Sequence, residues 1–167
     1  AEKGGMPEDN RVRYEMLKRL GFFVTESSEH FSEYTPWFIK RDRQDLIDEF
    51  NIPLDEYITR CEKQISEWDE QKIKLEDENQ TMEVYQSHEY AASIINGLEN
   101  DREVTINGNV ANNDLIDNLP RNISVEVPCV INRNGIQPVK VGSLPPQLAA
   151  LMMTNINVQQ LTVEAAL

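Results

Sequence analysis

The sequence predicts an α+β protein in which helices come first, a small mainly antiparallel sheet follows, and a long helix comes last. Residues 12–98 show helical periodicity broken by glycine and proline, whereas residues 104–131 contain two runs in which apolar and polar residues alternate. An apolar helical stretch then follows two prolines at 145–146. Because helices and strands are segregated along the chain, we expect an α+β rather than a parallel α/β architecture.

The first forty residues combine helical spacing with a polar cluster. Residues 12–20 predict a helix that ends at Gly21. Residues 22–25 are short and apolar, which favours a buried strand or an extended link. The polar cluster 26–30 then stands at an element boundary, and 31–39, with four aromatic residues and a proline, predicts an irregular packed segment.

Three further helices are predicted before the sheet, at 42–50, 54–78 and 83–98. The second has the longest helical signal, an apolar stripe among charged residues formed by Tyr57, Ile58, Cys61, Ile65, Trp68 and Leu75. We interpret it as an amphipathic helix packed by one face, since fewer than three clean heptads support a coiled coil. His88 falls in the first half of the third helix and has no partner at metal-ligand spacing.

The strand pattern occupies the next forty residues. Residues 104–110 and 123–131 are predicted strands, and 107–114 is an asparagine-dense loop. A turn at 132–135 precedes a short strand or extended piece at 138–141. The final helix is predicted to begin at the prolines and to continue to the end of the sequence.

Composition and charge exclude several classes of partner. The 167 residues carry 29 acids against 16 bases, a formal net charge of −13. This balance argues against a nucleic-acid backbone or an anionic membrane as partner, because both need clustered Lys and Arg. Roughly half of the acids lie between residues 42 and 89, which indicates solvated helix faces or an acidic docking surface.

Two cysteines, Cys61 and Cys129, have no second cysteine or histidine at metal-ligand spacing. We expect both to be small buried hydrophobic residues in a reduced protein, so the cytoplasm fits best. No apolar run is long enough for a membrane span, and no basic-then-apolar leader opens the chain. The absence of an initial Met and the abrupt apolar end suggest a piece of a longer protein.

Self-sufficient catalytic motifs are absent, since GxGxxG, GxxxxGK, HExxH and GxSxG do not occur. The cluster 26–30 contains one histidine, two serines and two carboxylates. Such residues serve in general acid/base catalysis. They also serve as helix caps and as side chains that hydrogen-bond to the backbone of loops. The asparagine loop alone is weaker evidence, because any turn uses Asn and Gly.

Four segments in order resemble the carboxyl half of family 4 glycoside hydrolases. They are VRYEMLKRLGFFVTESSEHFSEYTPWFIK at 12–40, HEYAASIINGLEN at 88–100, NGNVANNDLIDNLPRNISVEVPCVINRNGIQPVKVGSLPPQLAAL at 107–151 and TNINVQQLTVEAAL at 154–167. The first and third are long and specific, and SSEHFSEYTPWF resembles the α-galactosidase branch. The resemblance implies that 1–167 is the carboxyl-terminal domain, similar to that of lactate dehydrogenase, without the amino-terminal dinucleotide-binding domain.

The same resemblance implies an NAD- and Mn²⁺-dependent α-galactosidase that acts by oxidation, elimination, addition and reduction. In this family both cofactors are bound mainly by the amino-terminal half, so we expect no metal ligand here and an inactive fragment. The expected partners are an α-galactoside, the chain's own amino-terminal domain and further copies in a homo-oligomer. The alternative is a stand-alone acidic helical interaction module that docks through 54–78.

The resemblance also indicates candidate site residues. The family's proton-abstracting base should fall close to Ser27 and Ser28, where this sequence departs from the pattern; serine is a poor base without help. The candidates are therefore Ser28, Glu29, His30 and Tyr34, with Glu26 or a residue elsewhere as further alternatives. Asn109, Asn112 and Asn113 resemble the family's N-x-P-N element, with Ala111 in place of proline, and are expected to bind sugar hydroxyls or the cofactor.

Overall fold

A computed structural model describes residues 8–79, 81, 84–85 and 87–167. The chain forms two compact units, Ala1–Val84 and Tyr85–Leu167, and each is described by itself. The elements follow the predicted order of helices, sheet and final helix, which confirms the α+β fold class. They are a 3-10 turn Glu8–Asn10, α1 Arg11–Leu20, α2 Ser28–Tyr34, α3 Gln44–Phe50, α4 Glu56–Glu76, α5 Ala91–Asn100, β1 Val104–Ala111, β2 Ser124–Asn132, β3 Gly135–Pro138 and α6 Pro146–Ala166.

The first unit is built around α1, α2 and the aromatic segment after α2. Helix α1 ends as predicted at Gly21, whose positive φ of 79° suits glycine and whose N–H donates to the carbonyl of Leu17. The rings of Phe38 and Phe50 meet edge to face with centroids 5.0 Å apart. This packing holds α3 against the segment that follows α2.

In the first unit, the buried-strand alternative for 22–25 and the irregular conformation predicted for all of 31–39 are wrong. Residues 22–25 form no strand, and Phe22 and Phe23 are 48% and 44% exposed. Phe23 instead packs on α1, with its ring centroid 5.6 Å from that of Tyr14. The segment 31–39 is not irregular throughout, because α2 extends to Tyr34. The helix precedes Pro36 and leaves Thr35, the residue before that proline, in an extended conformation.

Helix α4 is confirmed as the longest helical element of the first unit, but its apolar stripe is not buried. Ile65 is 74% exposed and Trp68 is 52% exposed. Cys61 is only partly buried, so its prediction as a buried residue is wrong. The expectation of a helix packed by one face therefore fails for the described residues, and α4 presents its apolar side to solvent.

The second unit contains an antiparallel sheet with strand order β1-β2-β3. The register places Gly108 opposite Val127 and Ile131 opposite Val104. The alternate residues Val127, Cys129 and Ile131 of β2 are buried, which confirms the predicted environment of Cys129. Ala149 and Ile156 of α6 are buried in the same core cluster as β2.

Several boundaries in the second unit differ from the predictions. Helix α5 begins at Ala91, so His88 precedes it rather than lying inside it; residues 83 and 86 of the predicted helix lie outside the described residues. The first half of the predicted asparagine loop continues β1 to Ala111. The third strand spans Gly135–Pro138 instead of 138–141, because Gly135 adopts a φ of 103° that closes the turn. In the part of the chain that the structure describes, no helix has the length and apolar character needed to cross a membrane.

Candidate functional site

The polar cluster 26–30 lies at the amino terminus of α2. The Ser27 side chain accepts a hydrogen bond from the backbone N–H of His30 at 3.1 Å, which caps the helix. The prediction of an element boundary is confirmed, and the boundary is the start of a helix. A helix start projects successive side chains around its axis, so Glu29 and His30 face different directions.

Glu26 and His30 form a close polar pair one helical turn apart. The Nδ1 atom of His30 lies 3.0 Å from Oε1 of Glu26. The hydrogen bond to the carboxylate raises the pKa of His30, and the hydrogen bond from His30 lowers the pKa of Glu26. An ionised Glu26 favours the tautomer with the proton on Nδ1, which leaves Nε2 of a neutral His30 free to accept a proton.

A polar cleft of about 460 Å³ lies beside this pair within the first unit. Its lining combines three acids, one guanidinium, amides and hydroxyls, and comprises Asp9, Asn10, Arg13, Ser27, Ser28, Glu29, Asn51, Ile52, Pro53 and Glu56. Ser28 is 3% exposed, and its Oγ has no hydrogen-bond partner within the described protein. An unpaired buried hydroxyl is costly, so Ser28 supplies an open donor and acceptor at this cleft.

Arg13 is held in place at the cleft by three contacts. Its Nε donates to the carbonyl of Val24 at 2.8 Å, and its Nη1 donates to Oδ1 of Asn10 at 2.9 Å. Its guanidinium carbon lies 4.3 Å from the ring centroid of Phe23. Its positive charge also contributes to the lowered pKa of Glu26. Arg13 is therefore a fixed cation beside the cluster.

The structure brings only some of the predicted residues into the cleft. Ser28 and Glu29 line it, whereas His30 and Tyr34 lie outside the lining. Tyr34 is 54% exposed, and its ring centroid is 6.4 Å from that of His30. The two form a second, more exposed surface on α2 together with Glu26.

The three asparagines predicted to bind a ligand have different environments in the second unit. Asn112 is 1% exposed and its amide is engaged within the loop after β1. Its Nδ2 donates to the carbonyls of Ile116, Leu119 and Pro120, and its Oδ1 accepts from the N–H groups of Leu115 and Ile116. The amide of Asn112 therefore shapes the loop and has no group left for a sugar, while Asn109 and Asn113 keep exposed side chains.

Sequence reasoning missed Arg13 and underrated Glu26. The signal for Glu26 was its spacing of four residues from His30, which brings the two side chains together if a helix begins between them. Arg13 gave no such signal, because its position beside the cluster depends on its contacts with Phe23 and Val24 in the segment 22–25. No group of three or more His, Cys, Asp or Glu suited to a metal ion occurs among the described residues.

The family model for the carboxyl-terminal domain of family 4 glycosyl hydrolases matches residues 1–167. The chain belongs to family 4 of the glycosyl hydrolases. Within this family, it is 47% identical over 165 residues to an α-galactosidase of Bacillus subtilis strain 168, covering 99% of this chain and 38% of the relative. It is 33% identical over 168 residues to an α-galactosidase of Rhizobium meliloti strain 1021, covering 96% of this chain and 34% of the relative.

The family 4 chain spans less than two fifths of the length of these relatives. The crystal structure of lplD from Bacillus subtilis, a proposed glucosidase, superposes with a TM-score of 0.77 at 21% identity. The superposition covers 95% of this chain and 37% of that chain. It supports the fold described above.

Proposed function

We propose that this chain is the substrate-side domain of an α-galactosidase that acts by oxidation, elimination, addition and reduction. The identity of 47% to the Bacillus subtilis α-galactosidase, over 99% of the chain, is the observation that carries the proposal. The 33% identity to the Rhizobium meliloti α-galactosidase supports the same substrate class. The match of the family model to all of 1–167 favours this enzyme over a stand-alone interaction module.

The family resemblance implies NAD and Mn²⁺ for the complete enzyme, where they supply hydride transfer and polarisation of a carbonyl. The described residues of this chain do not form a metal centre, and the sequence lacks a Gly-rich phosphate loop. The family resemblance assigns the binding of both groups mainly to the amino-terminal half.

The step that this chain can serve is proton transfer at the sugar. Glu26 orients the imidazole of His30 through Nδ1, and neutral His30 then presents the Nε2 lone pair as a base. After proton transfer the same carboxylate stabilises the imidazolium, which is consistent with the raised pKa of His30. His30 is the proposed catalytic residue, and Glu26 is the proposed positioning residue.

Sugar hydroxyls are the proposed ligands of the polar cleft. The open Oγ of Ser28 can donate and accept, the Glu29 carboxylate accepts, and the guanidinium of Arg13 donates. Charged groups of both signs suit a neutral polyhydroxylated ligand because each hydroxyl both donates and accepts. Tyr34 is proposed to contact the sugar from the surface it shares with His30. Asn109 and Asn113 remain a separate proposal, as residues of the second unit that bind sugar hydroxyls or the cofactor.

The partners and compartment are also proposals. The expected partners are an α-galactoside, the amino-terminal domain and further copies of the chain, with no role for nucleic acid or membrane. Both cysteines are free, which supports a cytoplasmic enzyme. The assignment of 1–167 as one carboxyl-terminal domain remains a prediction.

The decisive experiment compares acid/base variants in the complete enzyme. We expect His30→Ala to lower kcat/KM for an aryl α-galactoside by about 100-fold or more, the usual range for a positioned acid/base group. We expect Glu29→Gln to raise KM more than it lowers kcat, because Glu29 lines the cleft. The primary isotope effect with substrate deuterated at the second carbon should increase in His30→Ala, since proton abstraction becomes more rate-limiting.

Glu33→Gln is the matched control, because it removes a carboxylate from the same helix outside both the cleft lining and the Glu26–His30 hydrogen bond. It should retain a near-native rate. A near-native rate and an unchanged isotope effect in His30→Ala would show that the cluster is structural and that another residue abstracts the proton. No α-galactosidase activity in the complete enzyme, with retained activity on another glycoside, would refute the substrate assignment.

A further inference from the structure

Arg13 connects the first helix to the segment that carries Glu26. Its Nε donates to the carbonyl of Val24 at 2.8 Å, and its guanidinium carbon lies 4.3 Å from the ring centroid of Phe23. Val24 precedes Glu26 by two residues in the sequence. The contacts of Arg13 therefore hold the backbone just before the carboxylate that pairs with His30.

Two nitrogen atoms of the guanidinium are engaged at the same time. While Nε donates to Val24, Nη1 donates to Oδ1 of Asn10 at 2.9 Å, and Asn10 immediately precedes α1. We call the contacts of Arg13 with Val24, Asn10 and the Phe23 ring the Arg13 anchor. A guanidinium holds several acceptors in one fixed plane, whereas the ammonium group of a lysine is a compact point charge on a flexible stem. Positive charge alone therefore does not reproduce the anchor.

The Glu26–His30 pair is not held together by burial. The side chains of Glu26 and His30 are 46% and 43% exposed. In an exposed pair, side-chain entropy opposes any single geometry. Oε1 of Glu26 accepts from the backbone N–H of Ser27 at 3.1 Å and lies 3.0 Å from Nδ1 of His30. Both contacts depend on where the backbone places Glu26, so a fixed backbone at residues 23–24 favours the paired geometry.

We propose that Arg13 is a positioning residue for the proton-transfer step. The Arg13 anchor holds residues 23–24 in place and so keeps the Glu26 carboxylate within reach of His30. This role is additional to the contact with sugar hydroxyls proposed above, and it rests on the proposed role of Glu26 and His30 in catalysis. A positioning role lowers kcat when it is lost, whereas loss of a contact with the sugar alone raises KM.

The charges around His30 give the direction of the expected pH effect. The pKa of its imidazole is raised by Glu26, Glu29 and Glu33, and the hydrogen bond to Glu26 is the largest cause. Arg13 lowers the pKa of Glu26, which helps to keep this carboxylate ionised. When Glu26 is displaced, the pKa of His30 falls toward 6.5, and neutral His30 is available at lower pH. The acid limb of the pH dependence of kcat/KM should then move to lower pH.

Arg13→Lys in the complete enzyme tests the proposal, because it keeps the charge and removes the planar guanidinium. We expect it to lower kcat for an aryl α-galactoside by about 10-fold and to move the acid limb to lower pH, as Glu26→Gln does. The double variant should lower kcat no further than Glu26→Gln alone, since both changes act on one pair. Arg19→Lys is the matched control on the same helix. The Nε of Arg19 bonds to Glu15 instead, so this variant should keep the native kcat and pH dependence.

Phe23→Leu is a second variant that leaves Arg13 itself unchanged. Phe23 lies outside the cleft lining, so loss of its ring weakens the Arg13 anchor without removing a ligand contact. We expect a lower kcat, an unchanged KM and an acid limb that moves in the same direction as in Arg13→Lys. Circular dichroism should show that both variants keep their helices, since Phe23 is 44% exposed and Arg13 is only partly buried.

Each contrary result has a different meaning. A native kcat in both Arg13→Lys and Phe23→Leu would overturn the proposal outright. A raised KM with a native kcat in Arg13→Lys would limit Arg13 to the sugar contact, and fully additive effects with Glu26→Gln would show that Arg13 does not act through Glu26. A shifted acid limb in Glu26→Gln without a shift in Arg13→Lys refutes only the positioning role. No shift in Glu26→Gln refutes the proposed function of the Glu26–His30 pair itself.

Discussion

The Glu26 carboxylate has the largest influence on the protonation of His30. The hydrogen bond that His30 donates to the Glu26 carboxylate raises the pKa of His30 above its ordinary value of 6.5, and the same bond lowers the pKa of Glu26 below 4.5. The stabilisation from His30 is fully present below pH 6.5 and is lost as the pH rises through the folded pKa. The stabilisation from Glu26 is present above pH 4.5 and is lost as the pH falls through its lowered folded pKa. Between pH 4.5 and pH 6.5, both contributions to stability are therefore fully present.

This coupling predicts the titration of the His30 imidazole. We expect NMR titration to give His30 a pKa above 6.5, and Glu26→Gln to bring that pKa back toward 6.5. The sequence has two histidines, so His88→Gln assigns the signals. Glu29→Gln is the matched control and should produce a smaller shift, because the Glu26 hydrogen bond is the largest cause. Equal shifts in the two variants would contradict the pairing.

At the candidate site, local spacing decided which of the predicted residues lie close together. Ser28, Glu29 and His30 are adjacent in sequence, so their proximity followed from the sequence itself. The burial of the Asn112 amide was not predicted. The sequence of a turn-like segment does not show whether an asparagine side chain faces solvent or hydrogen-bonds to the backbone inside the loop. Only the fold of the loop shows which carbonyls surround it.

At the scale of elements, periodicity predicted the long helices and strands well. The boundaries of α1, α4 and β2 agree with the sequence to within two residues. Helix α2 was missed because its seven residues are too few for a periodic signal and the following proline suggested irregular structure. The helix predicted at 83–98 begins only at Ala91. Apolar spacing before that residue did not lead to burial, since Val84 is 95% exposed.

The loop between β1 and β2 depends on one buried amide. Asn112→Ala removes five hydrogen bonds to backbone groups around it, and the unsatisfied groups should reduce the free energy of unfolding by about 3 kcal/mol. Asn113→Ala is the matched control, since its side chain is exposed, and should change that free energy by about 0.5 kcal/mol or less. Urea unfolding followed by circular dichroism measures both. Similar losses in the two variants would argue against this role of Asn112.

At the scale of the whole molecule, charge and sequence motifs limit what residues 1–167 can do alone. The sequence lacks a Gly-rich phosphate loop, and the described residues lack a metal-ligand group. We expect the chain by itself to bind NAD weakly and to leave aryl α-galactosides intact even with Mn²⁺ present. Calorimetric titration with NAD and a colorimetric hydrolysis assay test this expectation, with the complete enzyme as control. A low-micromolar dissociation constant for NAD would contradict it.

The central position of β2 has a consequence for hydrogen exchange. β2 lies between β1 and β3, and Val127, Cys129 and Ile131 are at most 1% exposed. The amide protons of β2 that bond to its neighbours should therefore exchange only when the unit Tyr85–Leu167 opens as a whole. Amides of the exposed α4 should exchange through local fraying. Deuterium uptake of β2 consequently reports the global stability of the second unit, while uptake of α4 reports a local equilibrium.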